Sequence, residues 1–137
     1  MIKFSELKQG SHVMAAYDGD VKRGEIAEIK KSEKQVCINL GEQTFWFDTG
    51  KGLLTAIPIT DAELTNFKFT KLVNTDGSVK YSKGAFRLLI PQQNDFSRIE
   101  MWYRDETRNF AAPMALHTLQ THFFEMTKVF LNDGSFD

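Results

Sequence analysis

The sequence has 137 residues, of which 42% are hydrophobic and 12% aromatic, and its formal net charge at pH 7 is −1. Aromatic side chains bury a large apolar area each, so this composition excludes a disordered chain. Neither half of the sequence has the basic excess of a protein that coats nucleic acid. We therefore expect no general binding of DNA or RNA.

The cysteine content and the N-terminal residues indicate where the protein resides. Its single cysteine, Cys37, cannot form a disulfide within the chain, which favours a reducing compartment. Residues 1–6 have no apolar segment typical of a secretory signal, and no run of about 18 apolar residues predicts a membrane span. We expect a cytoplasmic protein that does not enter a membrane.

Residues 1–58 consist of short runs of alternating apolar and polar residues, separated by turn residues. The predicted strands are 11–17, 21–29, 35–40, 43–49 and 53–57. Five strands at this regular spacing are typical of a small barrel or sandwich. We predict that residues 1–58 form an SH3-like β-barrel. The alternative is a plain antiparallel meander that packs on the second half of the chain.

A helix start marks the junction between the two halves. Thr60 is followed three residues later by Glu63, the pattern of a capping box, and Ile59 precedes it as a hydrophobic staple. The elements predicted after it are a short helix over 60–66 and strands over 67–73, 78–82, 85–90 and 96–104. Residues 105–109 are predicted to turn. This order predicts a four-stranded antiparallel sheet within residues 59–137.

The most regular pattern in the sequence is an apolar stripe near its end. The residues that recur there at three- and four-residue spacing are Leu116, Leu119, Phe123, Met126 and Phe130. Pro113 fits the first position of a helix, and residues 132–134 supply a stop. We predict a helix over 113–131 that packs on the four-stranded sheet, with an interface shared by the two halves. The predicted fold class is α+β, mostly β.

Residues with catalytic or metal-binding chemistry are few. His117 and His122 are five residues apart and point about 140° apart on a helix, whereas a chelating pair prefers a separation of four. Cys37 stands between Val36 and Ile38 in a predicted strand, which favours a packing role. We predict no metal, no cofactor and no catalytic residue. The alternative is a small hydrolase that uses His117 or His122.

The strand over 96–104 carries the strongest binding candidates. Arg98, Trp102 and Arg104 share one face of it, and Arg and Trp are frequent anchors of recognition sites. We predict that these three residues bind a planar or phosphate-bearing ligand. The alternative is that Trp102 packs on the barrel and the arginines pair with Glu100 and neighbouring residues.

Three further aromatic residues are candidates for binding a protein. Tyr17 and Trp46 lie on predicted barrel strands, where an exposed ring can contact a partner. Phe124 widens the apolar stripe of the last helix and offers a patch for a partner or a second copy. In each case the alternative is ordinary packing within the protein.

Three segments resemble a group of small uncharacterised proteins of bacterial phages and mobile elements. They are 7–13, similar to the barrel-opening strand of that group, 58–64 followed by 67–69, similar to its junction, and 116–120, similar to its helix pattern. Asn66 departs from the group, which often has Gly there. The resemblance implies an N-terminal SH3-like barrel and a bacterial host cytoplasm, and it transfers no activity.

Taken together, these patterns favour recognition over catalysis. Our leading hypothesis is a non-enzymatic binding protein that recognises a protein or a small ligand. The second is a counter-defence protein that sequesters a nucleotide signal through Arg98, Trp102 and Arg104, for which we expect a homo-oligomer with pockets between subunits. The third is the small hydrolase described above.

Overall fold

A computed structural model describes residues 2–132 and shows a mostly β protein with two antiparallel sheets and a C-terminal helix. The described chain divides into two compact units. Residues 2–57 form the first unit together with 116–121, and residues 58–115 form the second together with 122–132. The residues of the last helix are therefore distributed over both units. Among residues 2–132, no helix is long and apolar enough to cross a bilayer.

The first sheet has five antiparallel strands in the order β4-β3-β2-β1-β5. The strands are β1 (His12–Tyr17), β2 (Asp20–Lys30), β3 (Gln35–Asn39), β4 (Thr44–Asp48) and β5 (Leu54–Thr55). All five predicted strands of this half are confirmed, with ends within two residues of the prediction. The last strand returns to pair with the first, at Met14 opposite Thr55 and Ala15 opposite Leu54.

Local sequence explains how these strands turn and bend. Asp18 and Gly19 connect β1 to β2 with φ of 52° and 81°, and positive φ at both positions matches the right-handed twist of a hairpin. The pairing of β2 with β3 shifts register between Ile26 and Glu28, a bulge that bends the long strand. Tyr17 of β1 stacks on Phe45 of β4, with ring centroids 4.0 Å apart. Two other strands separate β1 from β4 in the sheet. The sheet must therefore curve strongly to bring these two rings into contact.

The free edge of β1 is completed by a side chain. Gln120 donates from Nε2 to the carbonyl of Gly10 (3.0 Å), and its Oε1 accepts from the main-chain N–H of His12 (2.8 Å). All three residues belong to the first unit, and Gln120 and His12 are buried. The amide of Gln120 therefore takes the place that a neighbouring strand would occupy beyond the short β5.

The second sheet has five antiparallel strands in the order β10-β9-β8-β7-β6. They are β6 (Thr70–Val73), β7 (Val79–Lys83), β8 (Phe86–Ile90), β9 (Ile99–Tyr103) and β10 (Glu106–Phe110). The prediction of four strands is wrong because β10 was assigned to a turn. Residues 106–109 are all polar, so this edge strand lacks the apolar alternation that identifies a half-buried strand.

The short helix α1 (Asp61–Asn66) begins where the sequence predicts. Thr60 is its N-cap, and the hydroxyl of Thr60 accepts a hydrogen bond from the N–H of Glu63 (3.2 Å). Asp61, at the first helical position, accepts a 2.6 Å hydrogen bond from the hydroxyl of the fully buried Tyr81. Its carboxylate also lies 2.9 Å from Nζ of Lys71. These contacts join α1 to β6 and β7.

The last helix, α2 (Leu116–Thr127), is shorter than the predicted helix over 113–131. Ala115 remains extended and forms a β-bridge with Pro58, so Pro113 is outside the helix. Lys128 takes a left-handed conformation with φ of 63° and ends the helix before Phe130. The predicted stop at 132–134 lies largely outside the described residues. In the second unit, Phe123 packs on Phe86, with ring centroids 4.8 Å apart.

Candidate functional site

The strongest candidate site lies on one face of the second sheet. Alternation along β8 and β9 buries Phe86, Leu88, Ile90, Ile99 and Met101 on the opposite face. The register places Arg87 directly opposite Trp102, and Leu89 directly opposite Glu100. Directly paired side chains on the same face of a sheet are close enough to interact. We call the face that carries Arg87, Leu89, Glu100 and Trp102 the cleft face.

An open cleft of about 530 Å³ lies on the cleft face. We call it the Trp102 cleft, and its polar lining residues are Lys80, Arg87, Glu100 and Arg104, with Ala85 and Leu89 between them. Three of these side chains are cations and one is a carboxylate. A volume of this size falls in the range of small-molecule sites. The excess of cations favours a ligand that carries negative charge.

Trp102 is the largest side chain in this cleft, and 41% of its surface is exposed. Within residues 2–132, no aromatic ring or cation packs on its indole. Arg104 lies in the two-residue connection between β9 and β10, where its φ of 54° is in the left-handed region. Its guanidinium lies 5.1 Å from the ring of Tyr103. Part of the indole surface of Trp102 is therefore exposed in the cleft.

Arg98 does not line the Trp102 cleft. It precedes β9 and lines a second depression of about 490 Å³, together with Asn109, Phe110 and other residues. The two depressions share Leu89 and Glu100 as lining residues. The structure thus brings Trp102 and Arg104 together and places the third predicted residue at the neighbouring depression.

Two cations that line the site, Arg87 and Lys80, are not among the residues predicted from the sequence. Neither Arg87, Arg98 nor Arg104 forms an ion pair within the part of the chain that the structure describes. The expected alternative, in which the arginines pair with Glu100, is therefore not what the structure shows. Arg87 stands between buried Phe86 and Leu88, so alternation could have identified it as outward-facing. Its pairing with Trp102 depends on a register that the sequence does not reveal.

The three candidates for protein binding occupy separate surfaces. Tyr17 and Phe45 share the inner face of the first sheet, whereas Trp46 lies on its outer face with Nζ of Lys30 4.6 Å from the ring centroid. Phe124, on α2, lies 6.2 Å from the ring of Phe130. All three candidates are partly exposed, between 40% and 46%. No two of these three candidates stack on each other within residues 2–132.

The two helix histidines belong to different units and have different surroundings. His117 is buried, with Nε2 3.5 Å from the carboxylate of Glu6, and burial lowers its pKa despite that carboxylate. Nδ1 of His122 lies 2.7 Å from Nη1 of Arg108, and burial, followed by the charge of Arg108, lowers the pKa of His122. Both imidazoles are therefore held towards the neutral form.

Two half-buried charged residues contact the buried His12 in the first unit. Nη2 of Arg23 lies 3.0 Å from Nδ1 of His12, and Nε2 lies 3.4 Å from the carboxylate of Glu25. Since a guanidinium can only donate, Nδ1 accepts and the ring proton is on Nε2, facing Glu25. His12 is fully buried on β1, whereas Arg23 and Glu25 are on β2, so these contacts join the two strands. Among residues 2–132, no group of three or more His, Cys, Asp or Glu is arranged to hold a metal ion.

Comparisons with known proteins do not assign a function to this cleft. No family model, no curated protein sequence and no solved structure matches the chain. The functional interpretation therefore depends on the residues of the cleft face themselves.

Proposed function

We propose that this protein is a non-enzymatic binding protein that holds a small anionic ligand with a planar group in the Trp102 cleft. The observation that carries the proposal is the cross-strand pair of Arg87 and Trp102, joined at the same cleft by Arg104 and Lys80. An exposed indole offers a stacking surface, and guanidinium groups donate forked hydrogen bonds to phosphate. A nucleotide combines both features, since its base is flat and its phosphate is anionic.

The setting proposed for this function is a phage or mobile element, and it rests on the sequence resemblance alone. In that setting a protein that holds a nucleotide signal without converting it would lower the free concentration of the signal. This is the counter-defence hypothesis, and the cleft supports it only through the chemistry of its lining. A hydrolase that uses His117 or His122 stays a prediction.

For the first unit we propose an SH3-like arrangement. It is supported by five antiparallel strands within residues 12–55, by the return of β5 to β1 and by the stacking of Tyr17 on Phe45. Within residues 2–132, β4 and β5 form no backbone pairing that would close the sheet. Nuclear Overhauser contacts between the Tyr17 and Phe45 rings test the curvature, and their absence would contradict it.

The proposed ligand site is tested by a matched pair of tryptophan substitutions. Trp102 and Trp46 are exposed to nearly the same extent, 41% and 43%, so replacing either with Ala removes a similar surface ring. We expect nucleoside monophosphates to raise the thermal midpoint of the wild type and of the Trp46→Ala variant, but not that of Trp102→Ala. Binding should weaken with added salt, because cations hold the phosphate.

Two results would contradict the proposed function. One is that no nucleotide shifts the midpoint of the wild type at any concentration tested. The other is that Trp102→Ala binds as tightly as Trp46→Ala. Chromatography of the ligand after long incubation checks the absence of catalysis, since a binding protein returns its nucleotide unchanged, whereas turnover to a new product would show an enzyme.

A further inference from the structure

We propose that the ligand of the Trp102 cleft is a guanine nucleotide and that Glu100 selects the base, an inference that rests on the proposed function. The structure places one carboxylate among the residues that line this otherwise cationic cleft. A ligand of this cleft must therefore offer hydrogen-bond donors to that carboxylate.

Glu100 is positioned close to the stacking surface. It lies two residues before Trp102 on β9 and points to the same face, a separation of about 7 Å along the strand. Glu100 is half-buried, and within residues 2–132 its carboxylate takes part in no hydrogen bond or ion pair. A base that stacks on Trp102 and extends over Leu89 brings its edge to this carboxylate.

An ionised carboxylate has acceptors only, so the base must supply donors. Guanine presents two adjacent donors on one edge, N1–H and the 2-amino group, which match the two oxygens of a carboxylate. Adenine and cytosine each place one amino group beside a ring nitrogen that accepts, and uracil places its one N–H between two carbonyl oxygens. Only guanine therefore forms two hydrogen bonds to Glu100 without opposing a lone pair to it.

The cations of the cleft provide a binding partner for the phosphate of the nucleotide. With the base between Trp102 and Glu100, its phosphate needs a positive partner away from the carboxylate. Arg87, directly opposite Trp102, and Arg104, two residues after Trp102 in the connection from β9 to β10, supply that charge. A ligand without phosphate leaves these cations without a negative partner, and a base without the two donors opposes a lone pair to the carboxylate of Glu100. A guanine nucleotide satisfies both.

Isothermal titration of the wild type with GMP, AMP, CMP, UMP and IMP tests this inference. We expect GMP to bind at least about fivefold more tightly than AMP, CMP and UMP, the discrimination of one good bidentate base contact. IMP keeps N1–H and lacks the 2-amino group, so its affinity should lie between those of GMP and AMP. Equal affinity for all five nucleotides would overturn the role of Glu100 and leave the proposed function standing.

A conservative substitution tests the residue itself. Glu100→Gln should reduce the affinity for GMP at least about fivefold and remove the preference over AMP, since Gln offers one acceptor and one donor. The control is Glu28→Gln, which removes the charge of an exposed strand carboxylate on the first sheet, outside the Trp102 cleft. Far-UV circular dichroism and the thermal midpoint report whether each variant is folded.

The possible failures are distinguishable. If Glu100→Gln is folded and keeps the full preference for GMP, the inference is wrong although nucleotides bind. If Glu100→Gln does not fold, the comparison of GMP with IMP on the wild type decides the question, and equal affinities contradict it. If the wild type binds no nucleotide, the proposed function and this inference both fail.

Discussion

The side-chain carbonyl of Gln120 accepts a 2.8 Å hydrogen bond from the main-chain N–H of His12, 108 residues earlier in the sequence. The same amide donates to the carbonyl of Gly10. Two main-chain groups on the edge of β1 thus depend on one helical side chain. This contact has a direct consequence for stability.

Replacing Gln120 with Met keeps the length of the side chain and removes both hydrogen bonds. A buried main-chain group without a partner costs about 1 to 3 kcal/mol, so we expect the free energy of unfolding to fall by roughly 2 to 4 kcal/mol. Urea denaturation monitored by circular dichroism measures the change. Gln43→Met, at an exposed position, is the control, and equal effects of the two substitutions would contradict this interpretation.

Gly24 of β2 is predicted to be intolerant of even one added methyl group. A Cβ at this position would collide with Cγ2 of Ile38 and lie 2.8 Å from Cδ2 of Leu40. Ile38 is fully buried and cannot move aside, so we expect Gly24→Ala to lower the free energy of unfolding by about 1 to 3 kcal/mol. Gly50→Ala is the matched control, because the nearest atom to its Cβ is a side-chain oxygen at 3.3 Å. If both variants unfold at the same urea concentration, the predicted collision is absent.

The hydroxyl of Tyr81 donates to the carboxylate of Asp61, and its loss should be measurable. We expect Tyr81→Phe to lower the free energy of unfolding at neutral pH by about 1 to 2 kcal/mol, discounted because Asp61 is partly exposed. Tyr103→Phe, on β9 with a half-buried ring, is the control.

The pH dependence of the Tyr81→Phe effect provides a second check. Hydrogen bonds from Lys71 and then from Tyr81 lower the pKa of Asp61 below its ordinary value of 3.8. A carboxyl with a lowered pKa stabilises the fold above its ordinary value and loses that contribution as the pH falls through the folded value. The difference between wild type and Tyr81→Phe should therefore shrink in strong acid. A difference that grows in strong acid would contradict the proposed contribution of the Tyr81–Asp61 hydrogen bond.

His122 should make the protein less stable in mild acid. Burial and the charge of Arg108 lower its pKa from the ordinary value of 6.5, so below pH 6.5 the unfolded chain binds a proton that the folded protein resists. Stability is then complete above pH 6.5 and falls as the pH drops towards the lowered value. We expect His122→Gln to reduce the loss of unfolding free energy between pH 7.5 and pH 5.5, measured by urea denaturation. The lowered pKa of His117 also reduces stability in mild acid. If the pH dependence of the His122→Gln variant equals that of the wild type, the contribution of His122 is excluded, but that of His117 is not.

Local pattern was sufficient to predict the first sheet. Its strands alternate apolar and polar residues, and glycines with positive φ, such as Gly19 and Gly41, stand between them. The same rule failed for β10, whose residues 106–109 are polar because the strand lies at an edge. It also extended α2 too far, since Phe130 continues the apolar stripe after Lys128 has ended the helix.

The candidate site was predictable only in part. Alternation along β9 identified Trp102 as outward-facing, and its exposure agrees with that. The partner of Trp102 across the sheet, Arg87, is 15 residues away, and no local pattern joins the two. Arg98 was expected beside Trp102, yet it precedes the strand and lines the neighbouring depression. Register and strand ends arise from the packing of the whole sheet, which one sequence does not display.

The clamp that Gln120 forms on β1 has a consequence for the order of events during protein synthesis. All strands of the first sheet leave the ribosome long before residue 120 does, so the edge beside Gly10 and His12 stays open while the second sheet is being made. An open strand edge is a template for pairing with another chain. We therefore expect this edge to be open to pairing with another chain until the last helix has been made and Gln120 has bound to it.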